Sequence, residues 1–274
     1  MKREAAIMSR IVTLPLNTGS RRYAEPRTRT GADGGGCAYA ELQVTSNFSF
    51  LRGASHADEL IATAKALGLS AIAVTDRNSF AGIVRAHVAA KDLGMKFVVG
   101  VRLDLEDAPS LLCYPTDRTA YGRLCRLLSL GQGRASKGRC SICLADVAVF
   151  AEGQIFIVVP PDDWDWRETV KPNYALDPAG LAAALDRVRA ALAPHNRTSG
   201  SRGLYLALTH RHRGDDRTRI SALANLASRA GLSPVATGDV LYHASHRRPL
   251  QDILTCVRHG TTIARAGLRL AANA

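Results

Sequence analysis

No stretch of this sequence approaches the 18 consecutive apolar residues that a membrane-spanning helix needs, so a helical membrane anchor is not expected. The N-terminal run MKREAAIMSRIVTLPLNTGS is basic but has neither a continuous apolar segment nor a clear cleavage site, which makes it a poor signal peptide. Cysteine is sparse. The six residues at 37, 113, 125, 140, 143 and 256 are scattered, as expected of free thiols in a reducing cytosol, not of a disulfide framework. A cytoplasmic location follows as the expectation. There is no GxxxxGK[ST] phosphate loop, no GxGxxG dinucleotide turn, and no Ser-His-Asp arrangement that spacing alone nominates. With 23 Gly and 11 Pro in 274 residues, collagen-like and linker-like readings also fail.

What is present is a core and a charge. Hydrophobic residues make up 46% of the chain, enough to bury a substantial interior. The formal net charge is +12, which suits a surface facing nucleic acid or another polyanion. An Arg-rich proteome would give the same excess. Part of it is tail charge: residues 1–30 hold seven Lys and Arg against Glu4 and Glu25. Residues 1–36 read as a flexible basic leader that closes on Gly34, Gly35 and Gly36. A folded domain is expected over 37–265, with a short tail at 266–274.

Within that domain the pattern alternates between strand and helix. Ser55 with Asp58 resembles a capping box for a helix that ends at Gly68. The segment YAELQVTSNFSF from Tyr39 reads as a strand running into a polar turn at 45–47; the apolar run SAIAVT at 70–75 is a strand, 79–93 a helix, 95–105 a strand, 110–114 a strand and 117–130 a helix. Strand QIFIVV at 154–159 is stopped by Pro160 and Pro161. Helix 178–192, strand 204–210, helix 216–230, strand 234–239 and helix 245–259 complete the series. About seven strands interleaved with helices imply an α/β fold with buried, mostly parallel strands.

In such folds the chemistry gathers at the carboxyl ends of the strands. Those ends carry Gln43, Thr45, Ser46 and Asn47, then Asp76-Arg77-Asn78, Arg102, His210 with His212, and Asp239 with Leu241 and His243. The ring is polar but short of metal ligands. Asp76, His210 and Asp239, with Glu41 and His243 at the margin, are the residues able to hold an ion, while Arg77 and Arg102 bring positive charge. Cys140-x-x-Cys143 lacks a second pair and reads as ordinary thiols. Arg123, Arg126, Arg134, Lys137 and Arg139, near three glycines, form a basic segment suited to a DNA backbone or to solvent. Trp164 and Trp166 follow a Pro-Pro turn and are expected to pack a loop or a neighbouring domain.

The segments YAELQVTSNFSFLRGASHADEL, LGLSAIAVTDRNSFAGIVRAH, GMKFVVGVRL and LSPVATGDVLYHASHRRPLQDILTCVRHG together resemble the polymerase-and-histidinol-phosphatase (PHP) domain of bacterial replicative DNA polymerases. The similarity is greatest to the error-prone, damage-induced branch and extends from Tyr39 to Gly260. It implies a distorted seven-stranded (β/α) TIM-like barrel, followed in an intact relative by polymerase modules. Metal-binding members carry a His-x-His pair where Gln43 and Thr45 stand here, and an Asp-His pair where Asp76 is followed by Arg77. Arg102 stands at a glutamate position, and Asp239 with Leu241 replaces Asp-x-His. At least five ligand positions have thus lost their ligand. Arg77 is expected to pair instead with Asp76 or Asp239.

The resemblance therefore implies a structural module of a truncated or split error-prone, translesion polymerase. Its expected partners are the rest of the polymerase or accessory subunits, possibly with DNA, and it is expected to carry no cofactor. Two other readings stay open. One is a PHP-type phosphoesterase or 3′–5′ exonuclease using Zn, Mn or Mg at Asp76, His210 and Asp239. The other is a stand-alone basic nucleic-acid-binding module.

Overall fold

The computed structural model describes residues 38–161, 178–192 and 203–271. The basic leader at 1–36, Trp164, Trp166 and the last three residues of the tail lie outside the described residues. Eight strands are described: β1 (Ala40–Glu41), β2 (Ala71–Val74), β3 (Phe97–Val99), β4 (Val101–Leu103), β5 (Leu111–Pro115), β6 (Gln154–Val158), β7 (Leu204–Thr209) and β8 (Ser233–Thr237). They form two open sheets, one in the order β1-β2-β3 and one in the order β4-β5-β6-β7-β8. Beyond the strand ends, isolated parallel bridges join Val44 to Val240 and Arg77 to Arg102. The helices are α1 (Ala57–Ala66), α2 (Ile83–Asp92), α3 (Arg118–Arg134), α4 (Leu144–Val149), α5 (Pro178–Leu192), α6 (Asp216–Arg229), α7 (Arg248–His259) and α8 (Ile263–Ala266).

The α/β rhythm expected from the sequence is present, with departures that have physical causes. The strand expected over 95–105 is broken at Gly100 into β3 and β4, which belong to different sheets. The pairs β4–β5 and β5–β6 are antiparallel, whereas the pairs within the first sheet and β6–β7–β8 are parallel. The turn between β4 and β5 is too short for a crossover helix, so β5 has to run back alongside β4. Helix α1 begins one residue later than the Ser55 reading: Glu59 accepts the backbone N–H of His56 at 2.9 Å, and the Ser55 hydroxyl instead meets His243 Nδ1 at 2.8 Å. Helix α3 runs through Gly131 and Gly133. A Cβ at Gly131 would collide with Ile142 and Cys140, so the glycine lets the returning segment lie against the helix.

The interior is continuous across the two sheets. One buried cluster joins Leu42, Ala73, Leu112, Tyr114, Ile157, Val159, Ala207 and Val235, drawing on strands of both. The Tyr114 hydroxyl crosses it to donate to the Leu42 carbonyl at 2.6 Å. Two larger apolar clusters lie under the helices. Gly100 sits where these layers close: a Cβ there would stand 2.8 Å from both Thr75 Cγ2 and Tyr114 Cε1. Gly100→Ala is therefore expected to destabilise the fold by about 1–3 kcal/mol through overpacking, measured by urea unfolding; no loss of stability would show that the neighbours yield freely.

Candidate functional site

The strand ends are organised by two carboxylates that serve different masters. Asp76, just past β2, is buried, and both its oxygens are taken by protein donors. Oδ1 accepts the Ser46 backbone N–H at 2.9 Å and the Ser49 hydroxyl at 2.7 Å, while Oδ2 accepts the Ser46 hydroxyl at 2.7 Å. A Cβ at Gly82 would run into Oδ2, so the start of α2 can approach this carboxylate only because residue 82 is glycine. Burial pushes the Asp76 carboxyl up from its ordinary value, and the hydrogen bonds from Ser46 and Ser49 offset part of that.

Asp104, just past β4, holds two arginines. Arg77 Nη1 donates to its Oδ2 at 2.7 Å and Arg102 Nε to its Oδ1 at 3.1 Å. Ser110 Oγ donates to Oδ1 at 2.8 Å, and Asn78 Oδ1 accepts the Asp104 backbone N–H at 3.0 Å. Burial works to raise this carboxyl, but the Arg77 and Arg102 charges and their hydrogen bonds overcome it and hold it at about 2. The expected pairing of Arg77 with Asp76 or Asp239 is thus corrected. Asp76 is already saturated by the serines, and Asp104 offers both oxygens to a two-guanidinium clamp.

Asp239 accepts the Gln43 side-chain amide at 2.6 Å. Glu41 is buried and spoken for by the Gln43 N–H at 2.8 Å, the Gly238 N–H at 3.1 Å and the Tyr39 hydroxyl at 2.8 Å. His210 is half exposed, its Nε2 3.9 Å from Asp216. His243 is engaged with Ser55 from both its ring and its backbone. Thr45 is buried, and Leu241 puts an apolar side chain into the cleft. Among the described residues, no three His, Cys, Asp or Glu side chains converge closely enough to hold an ion, so Asp76, His210 and Asp239 are not brought together as a ligand set. The residues present do not fit Zn, Mn or Mg. The carboxylates are committed to neutral or cationic protein donors, and guanidiniums stand where a cation would approach.

What surrounds these groups is a cleft with about 120 Å³ of solvent space. Six arginines line it, Arg52, Arg77, Arg211, Arg213, Arg258 and Arg269, against one carboxylate, Asp239. Among the described residues the non-glycine positions with positive φ are Leu51, Asn78, His212 and Asp239, all in loops at this end of the fold. Such backbone persists only where its surroundings fix it, and it concentrates at functional loops. The sequence reading missed Asp104, Ser49 and Ser110 as organising residues, and Arg52 and Arg258 as lining ones. For Asp104 a signal existed: in the strand expected over 95–105, residues 102 and 104 are two apart and so share a face. The basic segment at 123–139 is elsewhere and none of it lines the cleft; Arg123 pairs with Glu152 and Arg134 with Asp146. Cys140 and Cys143 are free thiols, and the Cys143 thiol donates to Asp146 at 3.1 Å.

A sequence model of the PHP domain matches residues 41–191, more than half of the chain, and the chain belongs to the PHP family. Among individual proteins, an error-prone DNA polymerase of Caulobacter vibrioides is 48% identical over 237 residues, covering 86% of this chain and 20% of that protein. Error-prone DNA polymerase 1 of Agrobacterium fabrum is 46% identical over 231 residues, 84% of this chain and 19% of that one. The chain thus spans about one fifth of the length of these relatives, in their N-terminal part. The fold also superposes on a crystal structure of a metal-dependent phosphoesterase from Bifidobacterium adolescentis, with a TM-score of 0.52 at 14% identity over 76% of this chain and 89% of that one. No helix among the described residues is long and apolar enough to cross a membrane.

Asp104→Asn is expected to cost about 1–3 kcal/mol at neutral pH, the scale of hydrogen bonds to a charged group. The folded carboxyl at about 2 lies below the ~3.9 of an unfolded aspartate, so its contribution is complete above pH ~4 and fades as the pH falls through 2. The stability gap between parent and variant, followed by urea unfolding, should narrow over that window. A gap constant from pH 7 to pH 2 would contradict the clamp.

Proposed function

We propose that this chain is the non-catalytic PHP module of an error-prone, translesion DNA polymerase, and that it supports the rest of the polymerase. The single observation that carries the reading is the Arg77–Asp104–Arg102 clamp. At positions where the family resemblance puts metal ligands, this chain has guanidiniums bound to a carboxylate of its own. Gln43 bonded to Asp239, together with the serine-saturated Asp76, extends the same pattern. Loops that ions would organise in a metal-binding relative are organised here by charge-assisted hydrogen bonds. The two isolated bridges and the cluster shared by both sheets support reading the strands as one distorted TIM-like barrel, with Val44–Val240 and Arg77–Arg102 as its seams.

The supporting role has its own observation in α7. This helix is inverted: polar Gln251, Thr255 and Arg258 turn toward the cleft, while Leu250, Ile253 and Val257 are exposed at 40%, 50% and 60%. An amphipathic helix ordinarily buries its apolar stripe, so an outward stripe marks a face made for a partner. The relatives continue for several times the length of this chain, and the partner proposed is that polymerase part.

Protein dialysed against Zn²⁺ or Mn²⁺ is expected to retain well under one ion per chain and to release no nucleotide from a 3′ end and no phosphate from a phosphomonoester. Stoichiometric metal, with activity lost in His210→Ala, would replace this reading by the phosphoesterase one. In a separate experiment, the polymerase portion of an error-prone relative lacking its own PHP domain should bind this chain. Ile253→Asp with Val257→Asp should weaken that binding at least ~tenfold while leaving thermal unfolding unchanged. Equal binding by the double variant would remove α7 as the contact.

A further inference from the structure

Phe50 and Leu268 are the most exposed large apolar side chains among the described residues, each at 83%, and both stand in segments at the mouth of the cleft. Neither exposure comes from a loose loop. Phe50 lies between Ser49, whose hydroxyl donates to Asp76 at 2.7 Å, and Leu51, whose carbonyl accepts Arg258 Nη1 at 2.9 Å. Leu268 offers its own carbonyl to Arg213 Nη2 at 3.3 Å. Arg52, two residues after Phe50, and Arg269, next after Leu268, line the cleft and form no ion pair among the described residues. Two segments at the opening thus each present an apolar side chain outward and a guanidinium to the cleft.

The interior adds a further requirement. Gln251 of α7 lines the cleft at 2% exposure, and its Oε1 has no hydrogen-bond partner. The Thr255 hydroxyl does not supply one, because its hydrogen is spent on the Gln251 backbone carbonyl at 2.9 Å. An unpaired buried carbonyl is costly, so an N–H entering the cleft, met by a small turn of the amide, is favoured there. Burial first, and then the like charges around it, push the Arg52 guanidinium down to about 10, with Asp104 only partly opposing. The one carboxylate of the lining, Asp239, already accepts the Gln43 amide. What completes the cleft is therefore an anion, a hydrogen-bond donor and apolar flanks in one ligand. A free inorganic ion has no apolar flanks, and a nucleic-acid strand has little aliphatic surface to set against Leu268. A peptide has all three: a backbone N–H, an Asp or Glu side chain small enough for a space of about 120 Å³, and aliphatic neighbours.

We propose that the cleft and its two apolar lips are a docking site for an acidic peptide segment of the polymerase part, one Asp or Glu flanked by aliphatic residues. Its carboxylate lies between Arg52 and Arg269, a backbone N–H meets Gln251, and the flanking side chains cover Phe50 and Leu268. The source is argued from position. Ala271 lines the cleft as well, and the match to the Caulobacter relative takes in only 20% of that protein, in its N-terminal part, so the rest of such a polymerase sets out from this side of the fold. The site is separate from the outward stripe of α7 and adds a charged, sequence-selective contact to it. The inference rests on the supporting role proposed above.

Short overlapping peptides tiled across the polymerase part of the Caulobacter relative test it, titrated against the full chain by fluorescence anisotropy. The same polymerase part, purified without its own PHP domain, serves as a second ligand. A subset of peptides with an acid among aliphatic residues should bind saturably, at least ~tenfold more weakly in Arg52→Gln, Arg269→Gln and Leu268→Asp. Exchanging the acid of the peptide for its amide should give the same loss. Gln251→Met removes the unpaired acceptor at nearly constant shape, and should weaken binding by ~threefold or more without lowering the unfolding temperature. The two arginine variants should unfold at the parent temperature or above it, so that lost binding is not lost fold. No bound peptide, or binding indifferent to any of the four substitutions, overturns the proposal. So does displacement of the peptide by a single-stranded oligodeoxynucleotide that binds more tightly, which assigns the cleft to nucleic acid. The polymerase part distinguishes the failures. Full-affinity binding of that part to the Arg52→Gln and Arg269→Gln variants sinks only this inference, whereas no binding of it to the parent chain sinks the supporting role as well.

Discussion

Two guanidiniums share the carboxylate of Asp104, and the strand ends take their shape from that arrangement. Arg77 comes from the end of β2, Arg102 from β4, and Ser110, which also donates to Asp104, from the turn before β5. The clamp therefore ties the first sheet to the second at the Arg77–Arg102 bridge, where the strand through Gly100 changes sheets. Remove the negative charge and two arginines, one of them nearly buried, face each other without compensation. Arg102 and Arg77 make sense only with Asp104 in place.

The same logic runs through the rest of the site. Asp76 is occupied by a serine pair that takes both oxygens, and Asp239 accepts a glutamine amide. Each is a place where a hydrogen-bond donor of the chain occupies the lone pairs an ion would need. The loops bearing these residues include three of the four positive-φ positions, Leu51, Asn78 and Asp239, backbone that persists only where its surroundings fix it. On the outer side of α7, polarity is reversed in the opposite sense, with an apolar stripe left for a partner. One helix thereby connects the cleft, through Arg258, to a face suited to the polymerase part proposed to follow.

Much of this was legible in the amino-acid sequence, and what was not has identifiable causes. The apolar runs and glycine stops located α1, α2, β6, β7, α6 and α7 because period and punctuation are local properties. The break at Gly100 was hidden, since an uninterrupted apolar run looks the same whether it stays in one sheet or passes between two. The antiparallel β4–β5–β6 pairs were hidden for a related reason: strand direction depends on pairing partners far apart in sequence. At the site, Gln43, Asp76, Arg77 and Asp239 lie just past β1, β2 and β8 and Arg102 lies within β4, but their partners were not legible. Arg77 looked bound to the nearest acid in sequence or motif, whereas Asp104 won because its two oxygens were open to both arginines. Arg52, Arg258 and Arg269 meet only through the tertiary fold, and no spacing rule brings residues from such distant segments to one cleft.

The central claim is that guanidinium–carboxylate bonds stand where metal ions stand in metal-binding members of the family. A crystal structure of the protein grown with excess Zn²⁺, with diffraction recorded at the zinc absorption edge, tests it most directly. The account predicts Arg77 and Arg102 on Asp104 and no anomalous density among Asp76, His210 and Asp239. A strong peak among those three residues, with Arg77 swung out to solvent, would contradict it.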